Sequence, residues 1–249
     1  MMRITETVKH LIIINVIFFI GMYVVGQQTA VSILGMHFPE NAEFQLWQPL
    51  TYMFMHGNVM HILFNMLALF SFGGLLESVW GPKKFLFFYF SCGLGAALLH
   101  VGINYISFSG VVDTLMSSGL SKHDILLALD TRNYAIFNGR IDQETFDVLE
   151  SAYNSPMIGA SGAIYGILVA FAFIAPNAEL MLMFIPIPIK AKYFVPGLLT
   201  VDLVLGLKGE AIFGGGDGIA HFAHLGGALV GFIMMWIWSK NQVNNNRWN

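Results

Sequence analysis

Six long apolar stretches constrain the fold of this chain more than any other feature. An α-helix rises about 1.5 Å per residue, so about 20 apolar residues cross the roughly 30 Å of hydrocarbon in a bilayer. Of the 249 residues, 56% are hydrophobic and only 11% are charged, which excludes an ordinary soluble protein with a charged surface. The sequence predicts an all-α membrane protein, a bundle of six transmembrane helices at residues 11–34, 59–76, 85–106, 158–175, 194–207 and 219–238.

The basic residues predict how this bundle is oriented. With six spans both termini lie on one side, and eight of the twelve Lys and Arg residues fall on that side. Because basic residues are enriched in cytoplasmic loops, we expect both termini in the cytoplasm. The starts of the second, fourth and sixth spans are then extracytoplasmic. The net charge of −3 is too small to indicate a nucleic-acid partner.

A polar segment, residues 107–155, interrupts the apolar pattern between the third and fourth spans. It carries seven acidic and three basic residues. We expect it to be a partly helical, extracytoplasmic insertion within a single membrane domain of residues 1–249. Ser121 and Asp142 are predicted helix starts, because their side chains accept hydrogen bonds from free backbone N–H groups. A lid, a spacer and a substrate docking site all remain open as its role.

Polar side chains inside apolar spans are costly, so each is a candidate functional residue. They concentrate at the starts of three spans. His61 and Asn65 are four residues apart and share a helix face, where they offer donors suited to an oxyanion hole. Ser161, at the start of the fourth span, can supply a nucleophile. His224 in the sixth span can supply the base.

Each of these features also has a structural interpretation. A serine in a membrane helix commonly bonds to its own backbone, glycines serve helix packing, and His61 with Asn65 can hold helices together. Glu77 and Asp202 are interpreted as capping or pairing residues, and neither is expected to complete a triad. A metal or haem site is a further alternative, with candidate ligands His56, His61, His221 and His224.

Three motifs occur in a fixed order along the chain. They are His61-xxx-Asn65 in the second span, Gly159-Ala160-Ser161-Gly162 at the fourth, and Ala223-His224-Leu225-Gly226-Gly227 in the sixth. Taken together they resemble the rhomboid family of intramembrane serine proteases. The resemblance covers about residues 47–235 apart from the insertion, and it implies a six-helix rhomboid-like fold.

The resemblance also assigns catalytic roles. It implies Ser161 as the nucleophile and His224 as the general base and acid. It implies an oxyanion hole formed by His61, Asn65 and the backbone N–H of Ser161.

Further residues receive supporting roles. Tyr165 would support His224, and Gly159 and Gly227 would support the site by allowing close approach. The segment from Gly73 to Glu77 is similar to the family's Gly-Gly-xx-Glu motif at the end of the second span, so Glu77 is expected to stabilise the fold.

The chain departs from the family pattern in its loops. The family's Trp-Arg pair is replaced by Trp47-Gln48, which puts the anchoring of the first loop in doubt. The insertion is longer than a six-span core needs, so substrate access is expected to be modified. Residues 214–216, three glycines, occupy the position of the family's mobile cap loop and are predicted to be a gate.

The resulting prediction is a hydrolase, an intramembrane serine endopeptidase that cleaves peptide bonds in or beside transmembrane segments. It would act through a Ser-His dyad and an acyl-enzyme, without metal or cofactor. The predicted partners are transmembrane protein substrates and the lipid bilayer, and the predicted location is a bacterial cytoplasmic membrane. A catalytically silent rhomboid-like protein that binds membrane clients is the alternative. The substrate and the oligomeric state are left open.

Overall fold

The computed structural model describes residues 4–182, 185–208 and 219–245, and this part of the chain is mostly helical. A two-stranded antiparallel sheet, β1 (Glu179–Leu182) and β2 (Ile185–Lys190), is the exception. The helices are α1 (Glu6–Val25), α2 (Gln27–Leu34), α3 (Gln48–Thr51), α4 (Val59–Ala68), α5 (Gly74–Trp80), α6 (Pro82–Ser117), α7 (Lys122–Asp130), α8 (Gln143–Asn154), α9 (Ser161–Ile174), α10 (Ala191–Lys208) and α11 (Ile219–Asn245).

The helical membrane bundle predicted from the apolar stretches is confirmed. Among the described residues, four helical stretches are long and apolar enough to cross a bilayer: Glu6–Val25, Val59–Trp80, Pro82–Ser117 and His221–Lys240. The second of these joins α4 to α5 through a π-helical turn, Leu69–Gly73. The predicted fourth span corresponds to the shorter apolar helix α9, and the predicted fifth span to α10.

The first predicted span is two helices. α1 ends at Val25 and α2 begins at Gln27. Gly26 between them has a φ of 101°, a backbone conformation that side chains with a Cβ rarely adopt. The break redirects the chain, so only α1 of this pair has the length of a membrane span.

Glu77 caps the start of α1 from a distant part of the chain. Its carboxylate accepts hydrogen bonds from the Thr5 hydroxyl and from the backbone N–H groups of Thr7 and Val8. The first N–H groups of a helix have no partner within the helix, and a negative charge there is favourable. The expected capping role of Glu77 is confirmed, and the contact ties α1 to α5.

The third span extends beyond its predicted end. α6 continues to Ser117, because Phe108, Val111 and Leu115 repeat at helical spacing and are buried. Their apolar face packs against the insertion, where α7 and α8 form a small core around Ile125 and Leu149. The first eleven residues of the predicted insertion therefore belong to the third helix.

Both predicted helix starts in the insertion are confirmed. The Ser121 hydroxyl accepts from the N–H of Asp124, and the Asp142 carboxylate accepts from the N–H of Thr145. Hydrogen bonds from Thr145 hold the pKa of Asp142 below its usual value. These caps fix where α7 and α8 begin.

The insertion holds the loop of residues 35–47 in place. The Tyr153 hydroxyl donates to the backbone oxygen of Glu40, and the Asn41 side chain donates to the backbone oxygen of Tyr153. Lys122 forms an ion pair with Glu40 at 2.7 Å. The Glu40 carboxylate accepts this hydrogen bond and raises the pKa of Lys122 above its usual value.

Gln48 anchors the same loop without a charge. Its side chain is fully buried, its amide nitrogen donates to the backbone oxygens of Ser32 and Glu43, and its amide oxygen accepts from the N–H of His37. Trp47 adds a hydrogen bond to the backbone oxygen of Ile33. The Trp47-Gln48 pair therefore still fastens the first loop.

Glycines bring the three central helices, α6, α9 and α11, into close contact. A methyl group on Gly227 of α11 would overlap the backbone oxygen of Gly162 on α9. One turn further along, a methyl group on Gly231 would lie 2.8 Å from the Cα of Gly166. Such small-residue stripes allow helix backbones to approach in a membrane. They also bring the helices that carry Ser161 and His224 together.

Candidate active site

Ser161 is the first residue of α9 and faces a histidine of α11. Its Oγ lies 2.9 Å from Nε2 of His224. No side chain caps this helix, because the preceding residue is Ala160. The first backbone N–H groups of α9 are therefore not occupied by an N-cap side chain, and such groups stabilise a developing negative charge.

The ring of Tyr165 holds the imidazole from one side. Tyr165 lies one turn after Ser161, and its ring stacks on that of His224 with 4.2 Å between centroids and 10° between planes. Parallel stacking of this kind restricts rotation of the imidazole. The expected contact between Tyr165 and His224 is present.

His61 approaches the serine through the space left by a glycine. Gly159 has a φ of 123°, and a methyl group there would lie 2.7 Å from Nε2 of His61 and 3.7 Å from Oγ of Ser161. The N–H of Gly57 donates to Nδ1 of His61 at 3.4 Å. With Nδ1 as the acceptor, Nε2 carries the hydrogen and is a donor on the side of Ser161.

Asn65 lies one turn after His61 on α4 and is buried. Its side-chain nitrogen donates to the backbone oxygen of His61 at 2.9 Å. This bond uses one of the two amide hydrogens and leaves the other. In this arrangement the side chain of Asn65 is bonded within its own helix. The side chain of His61 instead lies next to Gly159, in the loop that precedes Ser161.

Asp202, on α10, contacts the site and was expected to play only a structural part. The residue is fully buried, and its Oδ1 lies 3.4 Å from Nδ1 of His224. The same oxygen is hydrogen-bonded to Nδ1 of His221. Asp202 therefore contacts His224, a contact that the sequence did not indicate.

The sequence contained one signal for Asp202. An acidic residue inside an apolar span is a functional candidate by default. The partner could not be read from the sequence, because His224 follows 22 residues later and meets Asp202 only through the packing of α10 on α11.

The four histidines considered as metal ligands divide into two pairs. His56 and His61 pack ring to ring, with centroids 4.9 Å apart. His221 and His224 lie with Asp202, and the donor atoms of these three residues are within 4.8 Å of one another, the only such group in the part of the chain described. Because one carboxylate oxygen is at hydrogen-bonding distance from both rings, the group is internally hydrogen-bonded. The predicted gate at residues 214–216 falls outside the described residues.

The chain is similar to known proteins over most of its length. The family model for the rhomboid domain matches residues 43–129 and 133–241. The chain is 26% identical over 229 residues to RHOMBOID-like protein 12, mitochondrial, of Arabidopsis thaliana, covering 92% of this chain and 57% of that protein. It is 26% identical over 187 residues to Rhomboid protein 1, mitochondrial, of Saccharomyces cerevisiae, covering 75% and 40%.

A bacterial relative matches a shorter part. Rhomboid protease GlpG of Salmonella typhi is 38% identical over 69 residues, which is 28% of this chain and 25% of that protein. The chain thus spans 57% of the length of the first relative, 40% of the second and 25% of the third. Since two of the three are named as mitochondrial, the comparisons do not support the predicted bacterial cytoplasmic membrane.

The family model covers most of the chain, including α4, α9 and α11 with the residues that meet at the site. In the described residues of this chain, four helical stretches have the length and apolar composition of membrane spans. The chain is an integral membrane protein and belongs to the rhomboid family.

Proposed function

We propose that this protein is an intramembrane serine endopeptidase that hydrolyses peptide bonds in or beside the transmembrane segments of other membrane proteins. The observation that carries the proposal is the 2.9 Å contact between Oγ of Ser161 and Nε2 of His224, formed between two helices of an apolar bundle. A nucleophile with a base in hydrogen-bonding contact is the minimal unit of acyl transfer. The name of the Salmonella relative, a protease, is consistent with this activity.

The reaction follows from the two side chains. His224 takes the proton of Ser161 as its oxygen attacks the scissile carbonyl carbon. It returns that proton to the leaving amine when the peptide bond breaks, which leaves an acyl-enzyme on the serine. His224 then takes a proton from water as the water oxygen attacks the acyl carbon. It returns this proton to Oγ of Ser161 when the acyl bond breaks and the carboxylic acid is released. Neither a metal nor a cofactor enters these steps.

The negative charge of the tetrahedral intermediate needs donors next to Ser161. The uncapped first turn of α9 supplies the backbone N–H of Ser161, and His61 supplies Nε2–H across Gly159. The remaining amide hydrogen of Asn65 is the third proposed donor. Each donor of this type contributes about 10²–10³ in rate in a well-studied soluble protease.

Three residues would support the dyad without taking part in the chemical steps. Tyr165 stacks on His224, Gly159 leaves room for His61, and Gly227 lets α11 approach α9. The chain would form one membrane domain with residues 107–155 as an insertion, of which the first eleven residues extend α6. We propose that both termini lie on the cytoplasmic side and that the site opens on the opposite side, next to that insertion.

Cleavage of a transmembrane model substrate tests this function. Purified protein in liposomes is expected to cut a single-span substrate, whereas Ser161→Ala, with an unchanged melting temperature, is expected to leave it intact. Ser78→Ala is the matched control, because that hydroxyl is exposed and bonds only within its own helix. Failure of the folded parent to cut any of several substrates, combined with their stable capture, would favour the catalytically silent client-binding alternative. Cutting by Ser161→Ala would contradict the proposed nucleophile.

A further inference from the structure

Asp202 is buried between two imidazole rings at the edge of the site. We propose that it is a positioning residue for the reaction, so that this chain works with a triad of Ser161, His224 and Asp202 in place of a dyad. The inference rests on the proposed protease function and adds a residue that the dyad mechanism leaves out.

The carboxylate determines which nitrogen of His224 carries the hydrogen. An ionised carboxylate only accepts hydrogen bonds, so Nδ1 of His224, 3.4 Å from Oδ1 of Asp202, must be the protonated nitrogen. Nε2 then presents its lone pair to the Ser161 hydroxyl at 2.9 Å. This is the tautomer that a general base requires, and the positive charge that His224 acquires would lie next to the carboxylate.

The burial of Asp202 argues against a purely stabilising role. The side chain is fully buried, and its Oδ1 is shared by two imidazole rings. Burying a carboxylate is costly, and buried charges paired in this way are weak contributors to stability. The arrangement is explained if the charge serves the reaction.

His221 fixes the carboxylate from the other side. It lies one turn before His224 on α11 and is hydrogen-bonded through Nδ1 to the same oxygen of Asp202. The two rings are nearly perpendicular, with an interplanar angle of 88°. With Tyr165 stacked on its face, His224 is held by α9, α10 and its own helix together.

The distinguishing test compares two replacements of Asp202. Asp202→Asn and Asp202→Ala are assayed for kcat and KM on one transmembrane substrate, with melting temperatures recorded and Asp113→Asn, an exposed site, as the control. We expect kcat to fall by about 10²-fold or more in both, with KM little changed. Asn is expected to be no better than Ala, because its amide N–H can favour the tautomer with the hydrogen on Nε2. Asp202→Glu, which keeps the charge, is expected to recover part of the activity.

Other outcomes would overturn the proposal. A merely structural role predicts that the isosteric Asn retains the parent kcat and that Ala lowers kcat only together with the melting temperature. Ser161-dependent cleavage that is unaffected by Asp202→Asn would reject the triad and leave the protease function standing. A parent without any cleavage would reject both. Activity that a chelator removes and Zn²⁺ restores would assign Asp202, His221 and His224 to a metal instead.

Discussion

Replacing His224 by alanine is expected to lower the cleavage rate by at least about 10³-fold while the protein stays folded. The reason is that Ser161 has no other base in hydrogen-bonding contact among the described residues; its Oγ bonds to Nε2 of His224. Without a base, the serine hydroxyl must lose its proton to water, which is a much weaker base than imidazole. The measurement is the initial rate on a transmembrane substrate in liposomes.

The control for this variant is His123→Ala, at an exposed position of α7 in the insertion. It removes the same side chain without touching the site and is expected to cleave at the parent rate. Comparable rates for His224→Ala and the parent, at equal melting temperature, would mean that a different residue activates the nucleophile.

Gly227→Ala is expected to lower the cleavage rate by separating two helices. A methyl group at this position would overlap the backbone oxygen of Gly162, and backbone cannot rotate away as a side chain can. α11 must therefore move outward, which lengthens the contact between Ser161 and His224. Because a misplacement of about 1 Å can cost about 10²-fold in rate, we expect at least that loss, with a clearly lower melting temperature.

The matched control is Gly102→Ala on α6, where a methyl group would meet nothing within 4 Å. Alanine is the better helix former by about 1 kcal/mol, so this variant should be neutral or slightly more stable. If Gly227→Ala and Gly102→Ala behave alike in both melting temperature and rate, the close contact of α9 and α11 is not what positions the dyad.

The sequence was most informative where a local pattern determines the structure. Apolar stretches predicted the spans because lipid permits few alternatives to a helix. The starts of α7 and α8 were predictable from Ser121 and Asp142, because a helix cap involves residues only three apart. The extension of α6 to Ser117 was also detectable, since Phe108, Val111 and Leu115 follow a helical period, but the drop in hydropathy after residue 106 obscured it.

Features that depend on tertiary contacts could not be predicted. Gln48 was expected to weaken the anchoring of the first loop. Its side chain instead forms hydrogen bonds with backbone groups on both sides of that loop, which only the packed structure reveals. The separation of the first span at Gly26 depends on a positive φ, and many glycines in membrane helices keep helical geometry. Asp202 meets its partner through the packing of α10 on α11.

The central claim, that His224 activates Ser161 as a nucleophile, is tested most directly by covalent trapping. A fluorophosphonate reacts with an activated serine oxygen and expels fluoride, and mass spectrometry of peptides then locates the adduct. We predict an adduct on Ser161 in the parent and at least about 10²-fold slower labelling in His224→Ala. Labelling of another serine with Ser161 unmodified, or equal labelling rates of Ser161 in both proteins, would contradict the account.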